Sequence, residues 1–306
     1  MAVPTLTIDD VKRIVPEASD IQTPMRGGQK LVFPCKIEGE ERVLKFLLAN
    51  LDVDTLDTEA ATRNAFDEVT ARAIREIETM RQCNSPYIVR IGPISLKRVE
   101  FNNQNLLFFS EEMIKGEDVK ETLLRERQLP IREVILIGIH ITEAIKILWN
   151  FSKIHRDIKP GNIIKNQRTM NYVLLDMGLT FDLSESSITR FGIIVGTIPY
   201  LSPERTQFNY KRQLDFRSDL FSLGIVLYEG ITGKNPFLTP NIRTSDDVVH
   251  NILTLNVPSP NSIRQDIPIE LNDIIIRLLT KHPHSRYRTC DELLTAFTSI
   301  NINEGG

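Results

Sequence analysis

Residues 154–162 read Ile-His-Arg-Asp-Ile-Lys-Pro-Gly-Asn. They follow a long stretch of helical periodicity, Ile131 to Phe151, and precede a strand-like run, Tyr172 to Leu175, that leads into Asp176-Met177-Gly178. A carboxylate, an ammonium and an amide at positions 157, 159 and 162 therefore share one loop between two regular elements. Taken alone, such a loop could be a solvated surface turn after a helix.

Moving outward towards the N-terminus, the text is β-type from Thr23 to Leu48. It has a Gly-Gly turn at Gly27 and Gly28, the apolar Leu31, Val32 and Phe33, the turn Glu38-Gly39-Glu40, and then Val43 to Leu48. A helical pattern from about Glu59 to Gln82 puts Phe66, Val69, Ala73, Ile77 and Met80 on one face, suited to lie against that sheet. Strand-like runs follow at Tyr87 to Ile91 and Leu106 to Phe109, whereas long helical patterns such as Asp219 to Thr232 dominate after Gly116. The chain thus reads as a β-rich lobe, a hinge near Glu112 to Gly116 and a larger helical lobe, with no internal repeat or low-complexity tract. A short amphipathic stretch, Thr7 to Val15, predicts a helix packed on the body of the domain.

The 306 residues are 41% hydrophobic and 25% charged, which excludes disorder as the main state. A net charge of -3 offers no global field for nucleic acid or an anionic membrane surface, so neither is expected as a partner. Cys35, Cys83 and Cys290 form no C-x-x-C pair and indicate neither a zinc site nor a disulfide framework. The N-terminus lacks signal-peptide character, and no run approaches the ~20 apolar residues needed to cross a bilayer. The reading is a cytoplasmic protein.

Further motifs stand in order around the loop. Val43-Leu44-Lys45 lies upstream, and Glu76 falls ten residues before Pro86 in a helix-to-strand passage ending Cys83-Asn84-Ser85-Pro86-Tyr87-Ile88-Val89. Downstream come Gly196-Thr197-Ile198-Pro199-Tyr200-Leu201-Ser202-Pro203-Glu204, then Asp219-Leu220-Phe221-Ser222-Leu223-Gly224, then Arg286 in His282-Pro283-His284-Ser285-Arg286-Tyr287. With these in view, the chain resembles the eukaryotic-type (Hanks-type) serine/threonine protein kinase family, whose catalytic loop is H-R-D-x-K-x-x-N. Five fixed residues at this spacing occur by chance in such a chain on the order of once in ten thousand.

The resemblance implies an α+β, bilobal protein-kinase-like fold. It has a β-rich N-lobe with one major helix (21–113) and a larger, mainly helical C-lobe (114–300). The two make a single kinase domain, 21–300, flanked by an N-terminal segment (1–20) and a tail (301–306). It implies ATP and Mg²⁺ as cofactors. Phosphoryl transfer asks a protein for alignment and positive charge. In the family's terms Asp157 orients a hydroxyl and receives its proton, Lys159 neutralises charge on the γ-phosphate, and Asn162 and Asp176 hold the metal. Lys45 grips the α- and β-phosphates and pairs with Glu76. Gly27, Gly28, Lys30 and Val32 occupy the nucleotide-covering loop, which keeps one of the family's three glycines in register; Lys30 adds charge of its own. Glu112 and Met113 offer backbone groups to adenine, and Asp118 reaches the ribose. Met177 stands where the family has Phe, in a column with Met80, Ile91 and His155. Glu111 falls at the back of the pocket, where either the register shifts to Ser110 or a buried carboxylate has a partner.

Gly196 to Glu204, Asp219 and Arg286 resemble the family's peptide platform, which implies a polypeptide acceptor, and Lys159 with Thr197 implies Ser/Thr over Tyr. Glu204 and Arg286 form a structural pair in that resemblance. Ser184, Ser186, Ser187 and Thr189 are candidate autophosphorylation sites, with Arg156 receiving the phosphate and self-association allowing the reaction in trans. A nucleotide-binding pseudokinase or scaffold and a small-molecule kinase are the alternatives.

Overall fold

Thr7 caps a short helix, α1 (Ile8–Ile14), by a reciprocal pair of bonds. Its hydroxyl accepts from the Asp10 N–H at 3.2 Å, and the Asp10 carboxylate accepts from the Thr7 N–H at 3.0 Å. The computed structural model of the chain describes residues 6–27, 30–47, 70, 74, 77–78, 80–102, 104–176, 198–206 and 214–300. They fall into two compact units, one running up to Asn84 and over Val89–Ile114, the other made of Ser85–Ile88 and the chain from Lys115 onward.

The first unit is built on an antiparallel sheet of β1 (Ala18–Ser19), β2 (Met25–Gly27), β3 (Lys30–Ile37), β4 (Glu40–Leu47), β5 (Lys97–Phe101) and β6 (Gln104–Glu112). Its order is β1-β3-β4-β6-β5, with β2 also paired to β3. The β3–β4 hairpin turns on Glu38 (φ 55°) and Gly39 (φ 78°), the two positive φ values that a tight two-residue turn of this hand requires. Side-chain alternation then sorts the residues onto two faces. One face carries Leu31, Phe33, Cys35 and Ile37 of β3, Leu44 and Phe46 of β4, and Leu106 and Phe108 of β6, all buried. Leu6, Val11, Val15 and Ala18 complete this core, so the N-terminal helix does pack on the body of the unit. Phe46 stands edge-on to Phe33 at 5.7 Å and stacks on Phe108 at 5.2 Å. The opposite face carries Val32, Val43, Lys45, Phe109 and Glu111, because Val32 pairs with Lys45, Lys45 with Phe109, and Val43 with Glu111.

Of the predicted helix from Glu59 to Gln82, Thr70, Ile74, Ile77, Glu78 and Met80–Gln82 are described, and they are helical, with Ile77 and Met80 buried. Tyr87 to Ile91 is not a strand. Its residues divide between the two units, and each part makes a single bridge, Ile88 to Leu174 and Ile91 to Glu111. Strand β5 has no clear sequence signal because its residues, Lys-Arg-Val-Glu-Phe, are charged on the exposed side of an edge.

In the second unit a small sheet, β7 (Gly116–Asp118), β8 (Ile163–Asn166) and β9 (Tyr172–Leu174), accompanies the helices. These are α2 (Val119–Glu126), α3 (Ile131–Asn150), α4 (Arg217–Thr232), α5 (Ser245–Thr254), α6 (Ile269–Leu278) and α7 (Cys290–Thr298). Helix α4 is buried almost all round and forms the centre of this unit. Gly138 lets α3 approach α7 closely, since a Cβ there would sit 2.3 Å from the Phe297 ring. No helix among the described residues is long and apolar enough to cross a membrane.

Candidate active site

The loop between α3 and β8 holds Asp157, Lys159 and Asn162 against one another. Lys159 Nζ donates to Asp157 Oδ1 at 3.1 Å and to Oδ2 at 2.9 Å. Asn162 Nδ2 donates to Asp157 Oδ2 and to the Asp157 carbonyl, each at 2.8 Å. Asp157 and Asn162 are each only 6% exposed, so these bonds form in a protected setting where charge-assisted donors are strong. The second unit therefore brings the predicted Asp157, Lys159 and Asn162 together.

The backbone that presents them is strained and is held from behind. Arg156 has φ 68°, in the left-handed region that a long side chain rarely adopts. Asp219, in the first turn of α4, accepts the N–H of His155 at 2.6 Å and of Arg156 at 2.9 Å, and Arg205 donates to the Arg156 carbonyl. His155 is buried, and its Nδ1 accepts the Asp157 N–H at 3.3 Å, so Nε2 carries the proton and donates to the Leu175 carbonyl at 3.0 Å. Burial pushes the His155 imidazole below its usual range and the Asp219 carboxyl above its own; the latter is opposed by the His155 ring and by the two N–H donors.

The Leu175 N–H donates to the Asn162 carbonyl at 2.8 Å, which fixes the next residue, Asp176, beside Asn162; Asp176 has φ 52°. Both amide hydrogens of Asn162 are committed to Asp157, which turns its Oδ1 to the role of acceptor or ligand. No cluster of three or more His, Cys, Asp or Glu side chains gathers for a metal among the described residues. One amide oxygen and one carboxylate are a poor site for Zn²⁺ but fit Mg²⁺, which keeps much of its water and takes the rest of its ligands from phosphates. Asn162 and Asp176 thus suit the ion that the resemblance implies.

On the sheet of the first unit, Lys45 Nζ lies 2.5 Å from Glu111 Oε2, and the two residues are 6% and 2% exposed. Of the two options left open for position 111, the buried carboxylate with a partner is the one found. Ser110 lies on the other face, its Oγ accepting the Ile94 N–H at 2.9 Å. Val32 is the cross-strand neighbour of Lys45. The Glu112 N–H donates to the Arg90 carbonyl at 2.9 Å, so the backbone group Glu112 has to offer a base is its carbonyl. Met113 follows directly after β6. Asp118 caps α2 by accepting the Glu121 N–H at 2.8 Å, a use of that side chain apart from the ribose contact the resemblance implies. Gly27 ends β2 and Lys30 begins β3. Gly28, Glu76, Met177, Ser184, Ser186, Ser187 and Thr189 lie outside the described residues.

The segment expected to form the platform is tied to α4. Ser202 and Ser218 hydroxyls meet at 2.7 Å, and Ser222 Oγ donates to the Tyr200 carbonyl at 2.7 Å. Glu204 and Arg286 form a two-pronged pair, at 2.7 and 2.9 Å. The remaining Arg286 donors go to the carbonyls of Thr280, Lys281 and Arg217, so every N–H of this buried guanidinium is used.

The sequence places Asp219 only in that platform, and its bonds to the backbone of His155 and Arg156 are a finding of the structure. A carboxylate in a helix otherwise buried all round must be accepting from something, and that is the signal by which the role could be found.

The chain belongs to the protein kinase domain family, which matches residues 58–297. Members of this family take ATP as substrate, typically with Mg²⁺. A Clostridium perfringens protein named as a probable serine/threonine-protein kinase is 30% identical over 228 residues, 74% of this chain and 31% of that one. The serine/threonine-protein kinase PknE of Mycobacterium tuberculosis is 28% identical over 271 residues, 89% of this chain and 44% of its own length. The chain thus spans less than half of these relatives. The PknI kinase domain of M. tuberculosis, solved as a point mutant, shares the fold with a TM-score of 0.62 at 20% identity, over 92% of this chain and 94% of that one.

Proposed function

We propose that this chain is an active serine/threonine protein kinase that transfers the γ-phosphoryl group of ATP to Ser or Thr hydroxyls of protein substrates. The observation that carries the reading is the Asp157 carboxylate, held by Lys159 and Asn162 on a loop that Asp219 ties to α4. An acceptor hydroxyl bonded to Asp157 passes it a proton as its oxygen bonds to the γ-phosphorus and the bond to the ADP oxygen breaks. Lys159, now paired with Asp157, shares its charge with the transferring group, and Lys45 grips the α- and β-phosphates. Asn162 and Asp176 hold Mg²⁺, which neutralises charge on the phosphates. Val32, with Gly27, Gly28 and Lys30, covers the nucleotide; Glu112 and Met113 take the adenine, and Asp118 the ribose.

The names of the relatives and Lys159 two residues beyond Asp157 support Ser/Thr as acceptor. A scaffold would have no use for Lys45, Asp157, Asn162 and Asp176 together, which disfavours the pseudokinase reading, and the Glu204–Arg286 platform disfavours a small molecule. The reading includes autophosphorylation within Ser184 to Thr189, with self-association allowing it in trans, and the exposed Arg156 supports it as a group that could receive the phosphate. The three free, buried thiols fit a reducing compartment, the cytoplasm. Incubation with Mg²⁺, labelled ATP and a generic protein acceptor tests the proposal. Label should enter the acceptor on Ser or Thr and vanish with Asp157→Ala; equal labelling by that variant, or label on a small molecule alone, would sink it.

A further inference from the structure

We propose that Glu111 is a positioning residue for Lys45, orienting its ammonium from within the sheet. This rests on the reading of Lys45 as the phosphate-gripping lysine. In the β4–β6 register Val43 faces Glu111 and Lys45 faces Phe109, so Lys45 and Glu111 are diagonal neighbours on one face, within reach of long side chains. Their charged ends meet at 2.5 Å, and both residues are almost wholly buried. A lysine is a point charge on a flexible four-carbon stem, so its direction is set by what it meets at the tip. Here it meets a carboxylate.

The backbone carrying that carboxylate is itself fixed. Glu111 bridges to Ile91 on the edge of β6 away from β4. The residue before it accepts the Gly92 N–H at 2.7 Å, and the residue after it exchanges bonds with Arg90, the Glu112 side chain accepting the Arg90 N–H at 2.9 Å. Gly92 has no room for a side chain, since a Cβ there would fall 2.5 Å from Ser110 Oγ. The strand segment that presents Glu111 is therefore anchored on both edges. The ammonium thus meets a carboxylate presented by a strand of the same sheet.

Glu111→Gln removes the charge and keeps the shape, Glu111→Asp keeps the charge one methylene back, and Lys45→Met removes the lysine. The first readout needs no nucleotide: the rate at which an amine-reactive ester acylates Lys45, followed by peptide mass mapping. Loss of the anionic partner favours the neutral amine, so Glu111→Gln should acylate about tenfold faster at mildly alkaline pH. The second readout is steady-state kinetics, in which KM for ATP should rise about tenfold in Glu111→Gln with kcat changed less. Glu111→Asp should recover most of both. Wild-type behaviour of Glu111→Gln in both readouts overturns the proposal. So does an equal loss in the Gln and Asp variants that merely follows their melting temperatures. If Lys45→Met keeps full activity, the reading of Lys45 itself fails; if that variant is dead while Glu111→Gln is normal, only the role of Glu111 falls.

Discussion

Asp219 holds the backbone of Arg156 by a 2.9 Å hydrogen bond, although the two are 63 residues apart. The same carboxylate takes the His155 N–H at 2.6 Å, so two consecutive peptide groups of the loop that carries Asp157 end on one buried side chain. That is how an arginine is kept at φ 68° directly before Asp157.

Asp219→Asn should expose this dependence. An amide has one acceptor oxygen, so one of the two N–H groups is left facing an NH₂ group, at a cost of about 1–3 kcal/mol. The melting temperature should fall, and kcat should drop by more than about tenfold with KM for ATP little changed, as expected of a group that aligns the transition state. Thermal melts and steady-state kinetics decide it; an unaltered kcat removes Asp219 from the mechanism.

Stability should decline in mild acid. Burial lowers the folded-state pKa of His155 below its unfolded value of about 6.5, and it lowers that of His140, whose Nδ1 accepts the Tyr172 N–H at 3.1 Å. Below pH ~6.5 the unfolded chain takes up protons that these folded imidazoles refuse, so their contribution is complete above that pH and lost as pH falls beneath it. Melting temperatures between pH 8 and 5.5 should show the decline, and His140→Gln should flatten part of it. A profile that rises towards acid contradicts both assignments.

The grouping of Asp157, Lys159 and Asn162 was legible because the three stand at fixed spacing on one short segment, which a linear sequence displays directly. The two lobes were legible for a similar reason: period-2 and period-3.6 patterns change near Gly116. What could not be read were pairings across strands. Lys45 and Glu111 become neighbours only when β4 and β6 adopt the register that sets Val43 against Glu111, and a shift of one residue would have turned the carboxylate to the other face. Asp118 shows a different limit. An Asp before a helix is an N-cap by local rules, and the resemblance, which assigns Asp118 to the ribose, carries no sign of the cap it makes.

The Glu204–Arg286 pair should matter more for stability than for chemistry. Arg286 is 1% exposed with all its donors satisfied, and its guanidinium lies 4.7 Å from the Phe221 ring centre. Glu204→Ala leaves that charge buried beside three carbonyls without its anion, and breaking such a pair costs ~3–5 kcal/mol. Arg286→Lys should lose nearly as much, because an ammonium cannot reach Glu204 and three carbonyls in one plane. Thermal denaturation of each variant is the measurement, and a melting temperature within a degree or so of wild type would show the pair to be dispensable.

Helix α1 should behave as part of the first unit's core. Val11 is fully buried against the face that carries Phe33, Phe46 and Phe108, and the capping box at Thr7 fixes where the helix begins. A buried valine is worth about 1.5–3 kcal/mol, so Val11→Ala should lose a large part of that and Val11→Asp more, since it puts a carboxylate among hydrocarbon. Both should lower the unfolding midpoint, and Val11→Asp should bind a dye specific for exposed apolar surface under native conditions. Neither touches Lys45 or Glu111, which lie on the opposite face, so ATP affinity measured well below the midpoint should stay near wild type. If affinity fell while the midpoint held, the helix would be acting on the nucleotide side of the sheet, and its assignment as packing would be wrong.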